Sequence, residues 1–149
     1  MLSFKLVTLD GVKNEGQIYE AILPTPNGQI GVFEHHAPLV SIIERGVIKV
    51  RVKPNDPDDF MEVYATNGGI VEIADNEIKV LADEADAPDE INELEMQKSH
   101  EQARQLLSEA KDQVSLDHAQ SMLDRSSVRL KVATMKRRRR SGGSQNPPL

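Results

Sequence analysis

The 149-residue sequence has no cysteine and no tryptophan, only two tyrosines and three phenylalanines, and no long apolar run. Each absence removes a class of protein. Without cysteine there is no disulfide, no thiolate metal site and no cysteine nucleophile. No stretch approaches the roughly 20 apolar residues that cross a bilayer. Residues 1–20 have neither the basic start nor the apolar segment of a secretory signal, so the expectation is a soluble, cytosolic chain. With 38% hydrophobic residues, 3% aromatics and a mean hydropathy of −0.46, any core must come from Val, Ile, Leu and Ala. A single core serving the whole chain is not expected.

Positive charge is scarce too, except at one end. Lys and Arg number 18 against 24 Asp and Glu, for a net charge of −6. Residues 1–80 hold 7 basic and 12 acidic side chains, residues 81–135 hold 6 and 12, and residues 136–149 hold 5 and none. An acidic body of −11 therefore carries a basic patch of +5. A nucleic-acid-binding domain spreads its positive charge over a folded face, so no nucleic-acid partner is expected.

From Ser3 to Ala82 the pattern is that of short strands. Ser3–Thr8 alternates and is broken by Asp10-Gly11; Gln17–Leu23 ends at Pro24-Thr25-Pro26-Asn27-Gly28. Gly28–Phe33, Gly46–Lys53, Phe60–Thr66, Gly69–Ala74 and Glu77–Leu81 follow, with turn chemistry at Pro54–Asp58, Asn67-Gly68 and Asp75-Asn76. Regular short strands without a helix between them predict an antiparallel sandwich or barrel over residues 1–84. Gly68-Gly69 reads as a tight hairpin turn with φ > 0, not as a phosphate cradle, because it does not open a helix.

The period changes in the acidic junction Asp83–Pro88. Pro88 suits a first helical turn, and Asp86, Asp89 and Glu90 suit the positive end of a helix dipole. Ile91 and Leu94, then Ala103, Leu106, Leu107 and Ala110, fall at helical spacing. A second helix over about Ser115–Arg140, capped by Asp112 or Ser115, has Leu116, Ala119, Leu123, Ser126/Ser127, Leu130 and Ala133/Thr134 on one stripe. The short break between the two predicts an antiparallel hairpin over residues 85–140. Its small-residue faces bury little area, so it is expected to be marginal alone and able to dock in more than one place. The Gly, Ser and Pro of residues 141–149 read as a disordered tail.

No catalytic or metal constellation stands out. His35 and His36 are adjacent and face opposite ways if extended, and no two of His35, His36, His100 and His118 have the spacing of a zinc-binding helix. Glu34 with His36 would make an acid–base pair, but no nucleophile has a recognisable setting. The basic run Lys136, Arg137, Arg138, Arg139 and Arg140 has two readings, a solvated helix C-terminus or a docking tail for an acidic protein surface. A stand-alone sandwich adaptor that recruits an acidic partner through this tail is one function compatible with the pattern. A small hydrolase is another, and it would need a pocket around Glu34 and His36.

GQIGVFEHHAPLVSIIERGVIKV (Gly28–Val50), NGGIVEIADNEIKVLAD (Asn67–Asp83) and the two helices together resemble, through Met135, the ε subunit of bacterial and chloroplast F-type ATP synthases, whose mitochondrial counterpart is called δ. The resemblance implies a sandwich of about ten strands carrying a helical hairpin. It implies a non-catalytic central-stalk subunit that binds the foot of γ and the c-ring and couples ring rotation to ATP synthesis. The location implied is peripheral, at the cytoplasmic face of the bacterial cell membrane or the stromal side of the thylakoid.

The family's Pro-Gly-His-Ala-Pro loop corresponds to Glu34-His35-His36-Ala37-Pro38 here, which loses the glycine. Gln29, Gly31 and His36 are the implied c-ring contacts. Some bacterial relatives bind ATP through Ile/Leu-Asp-x-x-Arg-Ala at the start of the first helix, with arginines from the second. Here Ile91 is kept, Asn92 replaces the Asp and Glu95 replaces the Arg, leaving Arg125 and Arg129. A carboxylate at that position repels phosphate, so weak or no ATP binding and no cofactor are expected. The hairpin of such subunits lies folded on the sandwich or extends into the catalytic head and blocks hydrolysis. The resemblance then brings Arg125, Arg129, Lys131 and Lys136–Arg140 to the β subunits of the α/β head.

Overall fold

The computed structural model describes the backbone of residues 1–142 and the side chains of residues 1–135. Its strands are β1 (Leu2–Thr8), β2 (Gly11–Ile18), β3 (Glu20–Thr25), β4 (Gly28–Val32), β5 (Leu39–Ile43), β6 (Gly46–Arg51), β7 (Glu62–Thr66), β8 (Gly69–Ala74), β9 (Glu77–Ala82) and β10 (Ala85–Asp86). Two helices follow, α1 (Glu93–Glu109) and α2 (Gln113–Gly142). The strands form two five-stranded sheets, ordered β2-β1-β9-β8-β5 and β10-β7-β6-β3-β4. The pairing is antiparallel except between β1 and β9, which run parallel.

Period-two alternation builds the core between the sheets. Leu2, Phe4 and Leu6 point inward from β1 and meet Val71, Ile73, Ile78 and Val80 of the same sheet. Ala21, Leu23, Ile48 and Val50 come from the opposite sheet, and all eleven are nearly inaccessible. Aliphatic side chains of this size fill a sandwich without many aromatics.

Three expectations change. Gln17–Leu23 is not one strand: β2 ends at Ile18 in one sheet and β3 starts at Glu20 in the other, with Tyr19 N donating to Arg51 O (2.9 Å) at the corner. β5 has no counterpart in the alternation pattern, because its outward residues Val40 and Ile42 are apolar too. Asn67-Gly68-Gly69 is not a hairpin turn, since β7 and β8 belong to different sheets and the chain crosses between them there. Gly68 does take a positive φ of 121°. Gly69 is required for space instead, because a Cβ there would lie 2.1 Å from the Leu81 carbonyl oxygen.

The junction into the helices adds a strand of its own, as β10 pairs with β7 through Ala85–Thr66 and Asp86–Ala65. Pro88–Glu90 forms a 3-10 turn. Asn92 then caps α1, its side chain accepting from Glu95 N (3.2 Å), and Asp112 Oδ1 accepts from Ser115 N (2.7 Å) at the start of α2. The helices are antiparallel neighbours in contact through small residues, with Ala103, Ala119 and Ser126 buried. His100 Nδ1 lies 3.2 Å from Ser126 Oγ in that seam. The side chains of Lys136–Arg140 lie outside the described residues, as does the expected tail beyond Gly142.

The hairpin lies folded on the second sheet. Ile91, Val132 and Ala133 bury themselves against Val47 of β6 and Ala65 of β7, with Met96, Val128 and Met135 around them. This second apolar cluster is separate from the sandwich core.

Candidate interaction surfaces

Three surfaces carry the chemistry, and none resembles a catalytic pocket. Around β4, an edge strand, Gln29 and Gly31 are exposed. The following loop carries half-buried His36, whose Nδ1 is 2.6 Å from the Ala37 carbonyl oxygen. Phe33 joins strand and loop, with its ring edge-to-face on Tyr19 at 5.7 Å. His35 occupies the left-handed region at φ 65°, the conformation for which glycine is favoured. The chain pins it there: His35 N donates to Asn76 Oδ1 (2.5 Å). Asn76 belongs to the Asp75-Asn76 turn joining β8 to β9, where both residues have positive φ, as a tight primed turn requires. A non-glycine residue at position 35 is therefore held in a left-handed bend by a side chain 41 residues away.

The second surface is the outer face of the β2-β1-β9-β8-β5 sheet. Register aligns Ile42 with Ile70, Ile70 with Leu81, Leu81 with Val7, and Val7 with Val12. An apolar row thus crosses all five strands. Ile42, Ile70, Leu81 and Val12 are 60%, 53%, 59% and 54% exposed, and Val40 adds to the same end. A neighbouring row, Glu72 beside Lys79 and Lys79 beside Lys5, is charged. A contiguous uncovered apolar band on a sheet is the signature of a protein contact.

The third surface lies between α2 and the sandwich. Arg125 binds Glu84 with two parallel hydrogen bonds, Nε–Oε1 and Nη2–Oε2, both 2.7 Å. Arg129 Nη2 lies 3.3 Å from Asp86 Oδ2, and its buried Nε has no hydrogen-bond partner. Arg45, between β5 and β6, donates to Asn67 Oδ1 (2.7 Å) and Ser121 Oγ (3.0 Å) and lies 3.6 Å from Asp124. The hydrogen bonds from Arg125 hold the Glu84 carboxyl below its ordinary range. Burial pushes the Asp86 carboxyl up, against the pull of Arg129.

The residues of the degenerate nucleotide motif are dispersed in role. Ile91 packs in the hairpin–sandwich cluster, Asn92 caps α1, and exposed Glu95 supplies the backbone N–H that Asn92 binds. Arg125 and Arg129 are engaged by carboxylates of this same chain, and Lys131 is exposed. Among the described residues no group of three His, Asp or Glu side chains is placed to hold a metal ion, and no helix is long and apolar enough to cross a membrane.

Sequence reasoning missed Glu84 and Asp86 as partners of the arginines, because acidic residues are common throughout the junction. It also missed the apolar row, although the signal was there: β5, β8 and β9 carry Ile or Leu on both faces.

Residues 1–88 match the family described as ATP synthase, Delta/Epsilon chain, beta-sandwich domain. The chain is 31% identical over 135 residues to the chloroplastic ATP synthase epsilon chain of Adiantum capillus-veneris, covering 91% of this chain and 98% of that one. It is 33% identical over 131 residues to the epsilon chain of Desulfitobacterium hafniense, covering 85% and 95%. In fold it is similar to a chain of the Euglena gracilis mitochondrial ATP synthase OSCP/F1/c-ring structure, with TM-score 0.75 and 20% identity over 89% of this chain and 81% of that one.

Proposed function

The chain belongs to the ATP synthase delta/epsilon family, and on that premise we propose that it is a non-catalytic central-stalk subunit coupling c-ring rotation to ATP synthesis in the catalytic head. The observation that carries this is the extent of the likeness, which takes in both the sandwich and the helices and spans 98% of an epsilon chain. A stand-alone adaptor has no such support. The protein is peripheral, held at the membrane through the complex, on the cytoplasmic face of a bacterial cell membrane or the stromal side of a thylakoid.

Within that role the sandwich, closed by β10 at Asp86, is the docking unit and the helices that follow the regulatory one. The apolar row Ile42-Ile70-Leu81-Val7-Val12 suits a broad, permanent contact, and we assign it to γ. Gln29 and Gly31 of β4 face the c-ring, with His36 on the following loop whose bend Asn76 fixes. No nucleotide is needed: Asn92 and Glu95 depart from the ATP motif, and Arg125 and Arg129 have internal partners.

When the hairpin extends, Arg125, Arg129, Lys131 and Lys136–Arg140 meet acidic segments of the β subunits and inhibit hydrolysis. Truncation before Lys136 tests this. The ATPase rate of the reconstituted head rises after truncation, most at low salt, where charge pairing is least screened. Unchanged hydrolysis would refute the inhibitory role and leave the hairpin an assembly element.

A further inference from the structure

We propose that the belt of three arginines and three carboxylates between α2 and the sandwich is a salt-releasable clamp that holds the hairpin folded with no bound ligand, and that Glu84–Arg125 is its principal link. The clamp is a property of this chain alone and does not rest on its role in the stalk.

The spacing comes first. Ser121, Asp124, Arg125 and Arg129 follow one another at intervals of three, one and four residues, which places all four on one face of α2. That face meets Arg45 from the turn before β6 and Glu84 and Asp86 from the segment containing β10. Each of the three arginines is paired across the seam with a carboxylate, Arg45 with Asp124, Arg125 with Glu84 and Arg129 with Asp86. The apolar part of the seam is one small cluster, Val47, Ala65, Ile91, Val132 and Ala133, with partly buried Val63, Met96, Val128 and Met135 packed against it. Burial of that size leaves room for a few ion pairs to decide the docking equilibrium.

The ligands are internal. Glu84 fills the Nε–Nη2 edge of Arg125 in a fork-to-fork pair, the geometry in which arginine also takes an external anion. An anionic ligand taking that edge would have to displace Glu84. The docked state therefore supplies its own counter-ions from the strand that leads into the hairpin.

The links are unequal. Glu84 faces Arg125, Arg129 and Arg45, and its carboxyl is held low, first by the hydrogen bonds from Arg125. Asp86 faces Arg129 and Lys13 but also Glu84 and Glu90, and burial raises it. The linkage signs are opposite. The Glu84 contribution is present above its unfolded pKa and disappears as pH falls through the lowered folded value. Protonating Asp86 relieves a burial cost, so docking gains from that group as pH falls through its raised value. Acid therefore loosens one link while easing another, whereas salt weakens all three pairs together.

The absence of cysteine makes the test direct. Cysteines introduced at exposed Lys53 and Gln102 place one dye on the sandwich and one on α1 of the full chain, and energy transfer reports docking. Transfer falls as sodium chloride is raised to about 1 M, where the screening length is about 3 Å. Glu84→Gln lowers the docking constant roughly two- to five-fold at low salt, the range for partly exposed ion pairs. Asp86→Asn, which removes a charge whose burial opposes docking, does not lower it, and the charge exchange Glu84→Arg with Arg125→Glu restores it. Millimolar ATP leaves transfer unchanged. Circular dichroism of each variant reports whether the helices persist. Salt-independent transfer, or Glu84→Gln indistinguishable from the parent with helices intact, overturns the clamp. An increase in transfer on adding ATP overturns its independence of ligand.

Discussion

Replacing Ile42, Ile70 and Leu81 together by serine probes the surface assigned to γ. Each side chain is more than half exposed, at 60%, 53% and 59%, so more than half of its burial free energy is still unrealised in the isolated chain. Burying a whole side chain of this kind contributes about 1.5–3 kcal/mol, which leaves about 1 kcal/mol apiece to be gained on binding. The triple variant then loses about 3 kcal/mol, or roughly 150-fold in Kd, and Ile70→Ser alone roughly five-fold. The fold is affected little, because the inward alternation of Ile43, Val71 and Val80 is untouched. Calorimetric titration into a stalk complex lacking this subunit measures the affinity, and the parent shows the more negative heat-capacity change of apolar burial. A triple variant that melts like the parent and binds within three-fold of it, by the same affinity scale, would refute the assignment.

Gly69→Ala drives a Cβ into backbone atoms, 2.1 Å from Leu81 O and 2.8 Å from Ala82 Cα, which no side-chain rotation relieves. A cost of about 3 kcal/mol follows, seen as a melting temperature lower by roughly 6–12 °C, whereas a shift under about 2 °C would show that the β8–β9 approach is looser than described. Tyr64, buried beside Glu62 and hydrogen-bonded by Asn14 (2.8 Å), has its phenol pushed up to about 12 by burial first and the Glu62 charge second. The unfolded chain releases that proton near pH 10, so stability falls by up to about 3 kcal/mol as pH rises from about 10 to 12. Ultraviolet titration of the Tyr19→Phe variant isolates the Tyr64 phenol, and a midpoint near 10 would contradict its burial.

The sandwich-plus-hairpin plan was legible because the two halves differ in hydrophobic period, and period is a property of adjacent residues. Val71 and Ile73 alternate with Ile70 and Glu72 whatever else the chain does, and Ala103, Ala119 and Ser126 fall on the helix–helix side by spacing alone. β5 escaped because both its faces are apolar, and the corner at Tyr19 escaped because a bend between sheets leaves no change in alternation. The loop proposed to face the c-ring was legible as a motif, but the backbone at His35 was not. Its left-handed bend depends on Asn76, which only the strand order brings alongside.

Taken alone, the sequence determined most of the secondary elements, the division of charge and the absence of thiol chemistry, since these follow from which residues are present and how neighbours are spaced. The tertiary structure decided which apolar residues were left over as a row across five strands, and which of many carboxylates met Arg45, Arg125 and Arg129. Those outcomes depend on register between strands and on where the hairpin docks, distances set by the packing of segments far apart in the chain.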